Sequence, residues 1–181
     1  MPWLFLLLSV WIQLSVAVVP PIEPASERVL FKSFGTEVSP SDSPVQPERF
    51  RGYHTGTDFE AFDHERDSEV AVFAICNGRL LRKSTAAGYG GYAVQACRIN
   101  GQDVTVVYGH LRLSSISARI SDEITAGERL GVLGNGFSSE TDGERKHLHL
   151  SIKKGTRIDI RGYVQNKKEL DGWIDYSDLV K

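Results

Sequence analysis

Gly88-Tyr89-Gly90-Gly91-Tyr92-Ala93-Val94-Gln95-Ala96-Cys97, followed by Asn100-Gly101 and Val104-Thr105-Val106-Val107-Tyr108, is the stretch that decides the fold. A glycine-rich turn leads into a run of apolar and β-branched residues. An Asn-Gly turn then leads into a second such run, which is a hairpin signature. Upstream, Val70-Ala71-Val72-Phe73-Ala74-Ile75 reads as a buried strand that Asn77-Gly78 turns into Arg79-Leu80-Leu81. Downstream, strands are expected at Arg129–Leu133, Leu148–Ile152 and Arg157–Ile160. Short strands separated by turns every 8–12 residues indicate an all-β chain. Only Leu113–Ser117 and Lys168–Asp171 could hold a helical turn, and no repeat period appears.

The chain has 181 residues, with 21 Lys+Arg against 23 Asp+Glu and a formal net charge of −2. That balance excludes binding to nucleic acid by bulk electrostatics and excludes an acidic disordered tail. Residues 1–17 carry no charged side chain, and Ser15-Val16-Ala17 offers small residues for cleavage, so 1–17 reads as a signal peptide. An uncleaved anchor is the rival, although Ser9, Gln13 and Ser15 interrupt the apolar run. Six of the seven prolines fall between Pro20 and Pro47. Residues 18–26 are expected to be a linker, and 27–181 one domain. Val29–Phe31 and Phe34–Val38 look like edge-strand material. Cys76 and Cys97, the only cysteines, suggest a disulfide in an exported chain; two buried free thiols are the alternative. The bridge would contribute roughly 3 kcal/mol by loop entropy.

Chemistry is concentrated in the five histidines, His54, His64, His110, His147 and His149. His147-Leu148-His149 alternates inside an apolar strand, so both imidazoles leave one face, about 6.6 Å apart. His54-Thr55-Gly56-Thr57-Asp58 resists helix formation. In a straight strand His54 and Asp58 would lie about 13 Å apart, so they could share an ion only if the chain bends, as Gly56 permits. A bent H-x-G-x-D plus one more histidine makes a three-ligand zinc site with an open fourth position. Spacing alone leaves open whether His147 or His149 is that ligand. His110 ends an apolar strand at Gly109, where it could face a cleft or be a satisfied rim residue. His64 reads as a solvated loop residue, and Ser68 stands where an H-E-x-x-H motif would need its second histidine.

These elements in this order resemble the lysostaphin/LytM-type zinc metalloendopeptidases, metallopeptidase family twenty-three. The resemblance covers roughly Phe34–Gly162. It rests on His54–Asp58, Gly88–Tyr92, Tyr108-Gly109-His110-Leu111, Ala126-Gly127-Glu128-Arg129-Leu130-Gly131 and His147–His149. It implies a duplicated-hairpin antiparallel β sandwich with a substrate groove, and one Zn2+ held by His54, Asp58 and His149. It also implies a catalytic pair, His110 and His147, and cleavage of peptide cross-links in peptidoglycan. Where the family usually has Thr-Gly-Pro before H-x-H, this chain has Asp142-Gly143-Glu144-Arg145-Lys146.

The expected protein is therefore a secreted or envelope-located zinc endopeptidase. It would act on peptidoglycan peptides as a monomer, without nucleic acid and without stable membrane insertion after processing. His147 is favoured as base and His110 as oxyanion partner. Tyr53, Tyr89, Tyr92 and Tyr108 are candidates for the groove lining or for the core. The rival is a non-catalytic peptidoglycan-binding or amidase-activating domain, which would not need His110 and His147. A transport-regulatory β domain is a weaker third reading, disfavoured by export and by Asp58. Residues 1–76 hold no Asn and the first Cys is Cys76. Glu23 is the one strong ligand between Val18 and Ser26, and its neighbouring prolines favour an extended chain pointing away, so no upstream side chain is expected to block the zinc. Starting the chain at Val18 or at Glu27 should then make no difference.

Overall fold

Strand propensity dominates the computed structural model, which describes residues 18–180. The expected signal peptide, 1–17, lies outside them. The strands are β1 (Glu37–Val38), β2 (Gly52–His54), β3 (Gly56–Glu60), β4 (Ala71–Phe73), β5 (Gly78–Ala86) and β6 (Gly90–Ile99). They continue with β7 (Gln102–Gly109), β8 (Glu123–Ile124), β9 (Arg129–Val132), β10 (His147–Lys154), β11 (Tyr163–Val164) and β12 (Trp173–Ile174). All pair antiparallel. Helical structure among the described residues is confined to 3-10 turns, two of them at Leu113–Ser115 and Lys167–Gly172, where the sequence allowed a turn. None of these helices is long and apolar enough to cross a membrane.

The main sheet runs β12-β10-β7-β6-β5-β8, with β3 also paired to β10. Its centre is the β5–β6–β7 meander expected from the sequence. Asn100 and Gly101 close the β6–β7 hairpin with φ of 49° and 79°, the paired left-handed geometry of a two-residue turn. Period-two alternation sends Val104, Val106 and Tyr108 of β7 into the larger core, together with Leu148, Leu150 and Ile152 of β10. Tyr92, Val94 and Val107 face the other way, into a smaller apolar cluster with Tyr89. The Cys76–Cys97 disulfide forms, with Cα atoms 6.2 Å apart. It joins the β4–β5 connection to β6.

Four expectations are corrected. Val70–Ile75 and Arg79–Leu81 do not form a hairpin across Asn77-Gly78. β4 pairs with β9, whereas β5 pairs with β6 and β8. Gly78 is needed for close approach, since a Cβ there would lie 1.8 Å from the Ala96 carbonyl oxygen. Arg157–Ile160 is not a strand; Ile158 and Ile160 pack instead against the smaller cluster. Val29–Phe31 is irregular, but this segment lies along the free edge of β3, where the Glu60 and Asp58 N–H groups donate to the Val29 and Lys32 carbonyls. Finally, 18–26 is no linker. Ile22 is 0% exposed within the core, the Val19 N–H donates to the Ile75 carbonyl, and the Phe73 N–H donates to the Pro21 carbonyl. Trimming to Glu27 would remove a core side chain, so a start at Glu27 is expected to cost stability relative to a start at Val18.

Candidate metal centre and groove

β10 is the element on which the site is built. Its even-numbered residues from 148 to 152 enter the core, which leaves His147, His149 and Ser151 on the opposite face. Register then places His149 opposite Asp58 on one side and Gly109 on the other, with His147 opposite Glu60. His54 arrives from a different sheet. The chain breaks between β2 and β3 at Thr55, whose N–H donates to Gly162 and whose hydroxyl donates to Arg161. The bend that His54 and Asp58 required is therefore present. Gly56 serves it through space, because a Cβ would lie 2.4 Å from the Leu150 carbonyl oxygen and 2.9 Å from the His149 ring.

Three donor atoms meet there. His54 Nε2 lies 3.0 Å from His149 Nδ1, His149 Nδ1 lies 3.0 Å from Asp58 Oδ1, and His54 Nε2 lies 3.2 Å from Asp58 Oδ1. A tetrahedral zinc with N and O donors at about 2.05 Å has donor–donor edges of about 3.3 Å, so this triangle fits one face of its coordination shell. His54 Nδ1 sits 3.3 Å from the Ser33 carbonyl, an outer partner that turns Nε2 inward. All three residues are buried. Burial alone would raise the Asp58 carboxyl, but the surrounding imidazoles hold it well below the usual carboxylate range.

His110 and His147 stand beside this triangle, their ring centroids 4.1 Å apart. The His147 Nδ1 lies 2.9 Å from the Arg145 carbonyl. A carbonyl can only accept, so Nδ1 carries the proton and Nε2 is bare. That bare nitrogen is 3.4 Å from Asp58 Oδ2, on the metal side of the ring. His110 directly follows β7 with φ of 61°, and its Nδ1 has no protein partner among the described residues. Burial pushes His110 down to about 3 and, with help from neighbouring His110, holds His147 well below the ordinary imidazole range. Both rings are therefore neutral near pH 7.

The charged run before H-x-H is tied down by ion pairs and hydrogen bonds. The Gly88 N–H donates to Asp142, and the Arg49 guanidinium spans Asp142 and Glu144. Lys146 Nζ donates to the carbonyls of Glu65, Arg66 and Ser68. Arg145 turns inward onto Asp58 and Glu60.

The structure thus brings together His54, Asp58, His110, His147 and His149, all five along one groove of about 340 Å³. His64 is exposed and stacks on Phe62. Of the candidate tyrosines, Tyr89 lines the groove, Tyr108 is buried in the core, Tyr92 lies in the smaller cluster, and Tyr53 faces a separate hollow. Sequence reasoning missed Glu60, Arg145, Lys32 and Tyr163. Glu60 was findable, since it follows Asp58 by two residues in a strand and so shares its face. Tyr163 comes from a remote strand. Its ring is 5.2 Å from His54, its hydroxyl accepts from Lys32 Nζ at 3.0 Å, and burial raises its phenol.

The family model described as Peptidase family M23 matches residues 52–160. Among solved structures, the chain is similar to the catalytic domain of lysostaphin from Staphylococcus simulans. Identity there is 17%, over 85% of this chain and 92% of that one, with a TM-score of 0.57. LytU is 21% identical over 82% of this chain and 81% of its own, with a TM-score of 0.54. A chain from the complex of SpoIIIAH and SpoIIQ is 18% identical over 84% and 98%, also with a TM-score of 0.54. At these identities the likeness establishes the β-rich fold. No curated protein matches the chain.

Proposed function

The chain belongs to peptidase family M23, and on that premise we propose that it is a secreted zinc metalloendopeptidase hydrolysing peptide cross-links of bacterial peptidoglycan. The observation that carries this reading is the pairing of two features in one groove. A triangle of donor atoms 3.0–3.2 Å apart adjoins two buried histidines that no donor set needs. His54, Asp58 and His149 would hold the zinc, which when bound lowers the pKa of water towards 7 and polarises a carbonyl. His147 has its proton on Nδ1, fixed by the Arg145 carbonyl, so its Nε2 takes the proton from the attacking water. His110, whose ring lies against that of His147, donates towards the developing oxyanion.

A binding module of the same fold is the competing reading; the chain similar to this one in a SpoIIIAH–SpoIIQ complex was crystallised with a protein partner. Retention of His110 and His147, buried and placed against the donor triangle, favours the enzyme. Zinc-loaded protein should release new free amino termini from purified peptidoglycan, detected by mass spectrometry. Chelation should stop the release and added zinc restore it. His147→Ala should lower turnover roughly 10²–10⁴-fold. Unchanged peptidoglycan of every cross-link type would support the binding module instead.

A further inference from the structure

The Arg145 side chain is only 13% exposed, although the sequence offers it as one charge in a hydrophilic run. Its Nη2 donates to Asp58 Oδ2 at 3.0 Å, its Nε donates to Glu60 Oε2 at 2.8 Å, and Nη2 also reaches Glu60 Oε1. The two oxygens of Asp58 are thereby divided. Oδ1 faces His54 and His149, while Oδ2 faces Arg145 and His147. Glu60, on the same face of β3, is a second buried carboxylate held by the same guanidinium, and the Asp58 charge acts on it. The planar guanidinium is the one group here that bridges both carboxylates with fixed N–H directions.

We propose that Arg145 is a positioning residue for the metal centre. It holds Asp58 to donation through Oδ1 alone and keeps Glu60 out of the coordination shell. This rests on the reading of His54, Asp58 and His149 as the metal-holding set. Without Arg145, Asp58 is free to rotate and donate through both oxygens, and Glu60 loses the cation that occupies it. A lysine at this position restores the charge but cannot span two carboxylates with directed donors.

Chelator competition against the full chain reads zinc affinity directly, with far-UV circular dichroism as the check on folding. Arg145→Gln should bind zinc about 10–100-fold more weakly than the parent, the usual effect of losing an outer partner, and Arg145→Lys should fall between. The visible spectrum of the cobalt-loaded protein adds a second readout. Its absorption should weaken in Arg145→Gln, as extra carboxylate oxygens raise the coordination number. If Arg145→Gln does not fold, Arg145→Lys alone must show the weakened affinity and the altered spectrum. A folded Arg145→Gln or Arg145→Lys with parental affinity and an unchanged cobalt spectrum overturns the proposal, even if its melting temperature falls. Failure of the site reading looks different: the parent itself would bind no zinc, or Asp58→Ala would bind it as tightly as the parent.

Discussion

At the scale of single residues, the site works by keeping imidazoles neutral inside the protein. His110 is buried, and its conjugate acid forms only near pH 3 in the folded chain, against about 6.5 when unfolded. The unfolded state therefore binds more protons between those values. The stability contribution of His110 is complete above about pH 6.5 and is lost as pH falls towards 3. His147, lowered in the same direction, adds to the slope. Asp58, held low, acts with the same sign at more acid pH, because its stabilisation disappears as the carboxylate is protonated. For metal-free protein, His110 alone should cost about 2–3 kcal/mol between pH 7.5 and 4.5. Urea midpoints at the two values measure it, and the slope should flatten in His110→Gln. Equal midpoints in the parent at both values would mean that these histidines are accessible to protons in the folded state.

At the scale of elements, the site depends on β3, β10 and β7 lying unusually close where they carry glycine. Gly56 admits the Leu150 carbonyl and the His149 ring, and Gly109 admits the Tyr89 ring at 2.5 Å from its would-be Cβ. Gly56→Ala must push β3 away from β10, at a cost of about 1–3 kcal/mol. It should also weaken zinc binding, because His149 is the group displaced. Urea denaturation and metal titration report the two effects separately. Parental values in both would show that the strands have slack the structure does not contain. The β5–β6–β7 meander was legible because its turns are local, with Asn100 and Gly101 both at positive φ. The partner of β4 was not legible. Asn77-Gly78 looks like a hairpin turn, but β4 pairs with distant β9, and nothing in local turn chemistry encodes that choice.

At the scale of the whole molecule, the five residues that share the groove could be picked out in the sequence with the family resemblance as guide, whereas the groups that support them could not. His147-Leu148-His149 declares its shared face through strand periodicity, and His54–Asp58 declares a donor pair once the chain bends. Arg145 gives no such sign, since an arginine among Asp142, Glu144 and Lys146 is indistinguishable in sequence from a solvated charge. Only the fold turns it onto Asp58. The segment after residue 17 was misread for a related reason. Its prolines suggest an extended spacer, but Ile22 fills the core and Arg28 reaches Glu65 and the Glu60 carbonyl. The proposed chemistry divides labour among the groove residues: His54, Asp58 and His149 hold metal while His110 and His147 do not. Elemental analysis of the purified single variants tests this most directly. One zinc per chain is expected in the parent, His110→Ala and His147→Ala, and loss of tight zinc in His54→Ala, Asp58→Ala and His149→Ala. Full zinc occupancy in Asp58→Ala, or its loss in both His110→Ala and His147→Ala, would contradict the account.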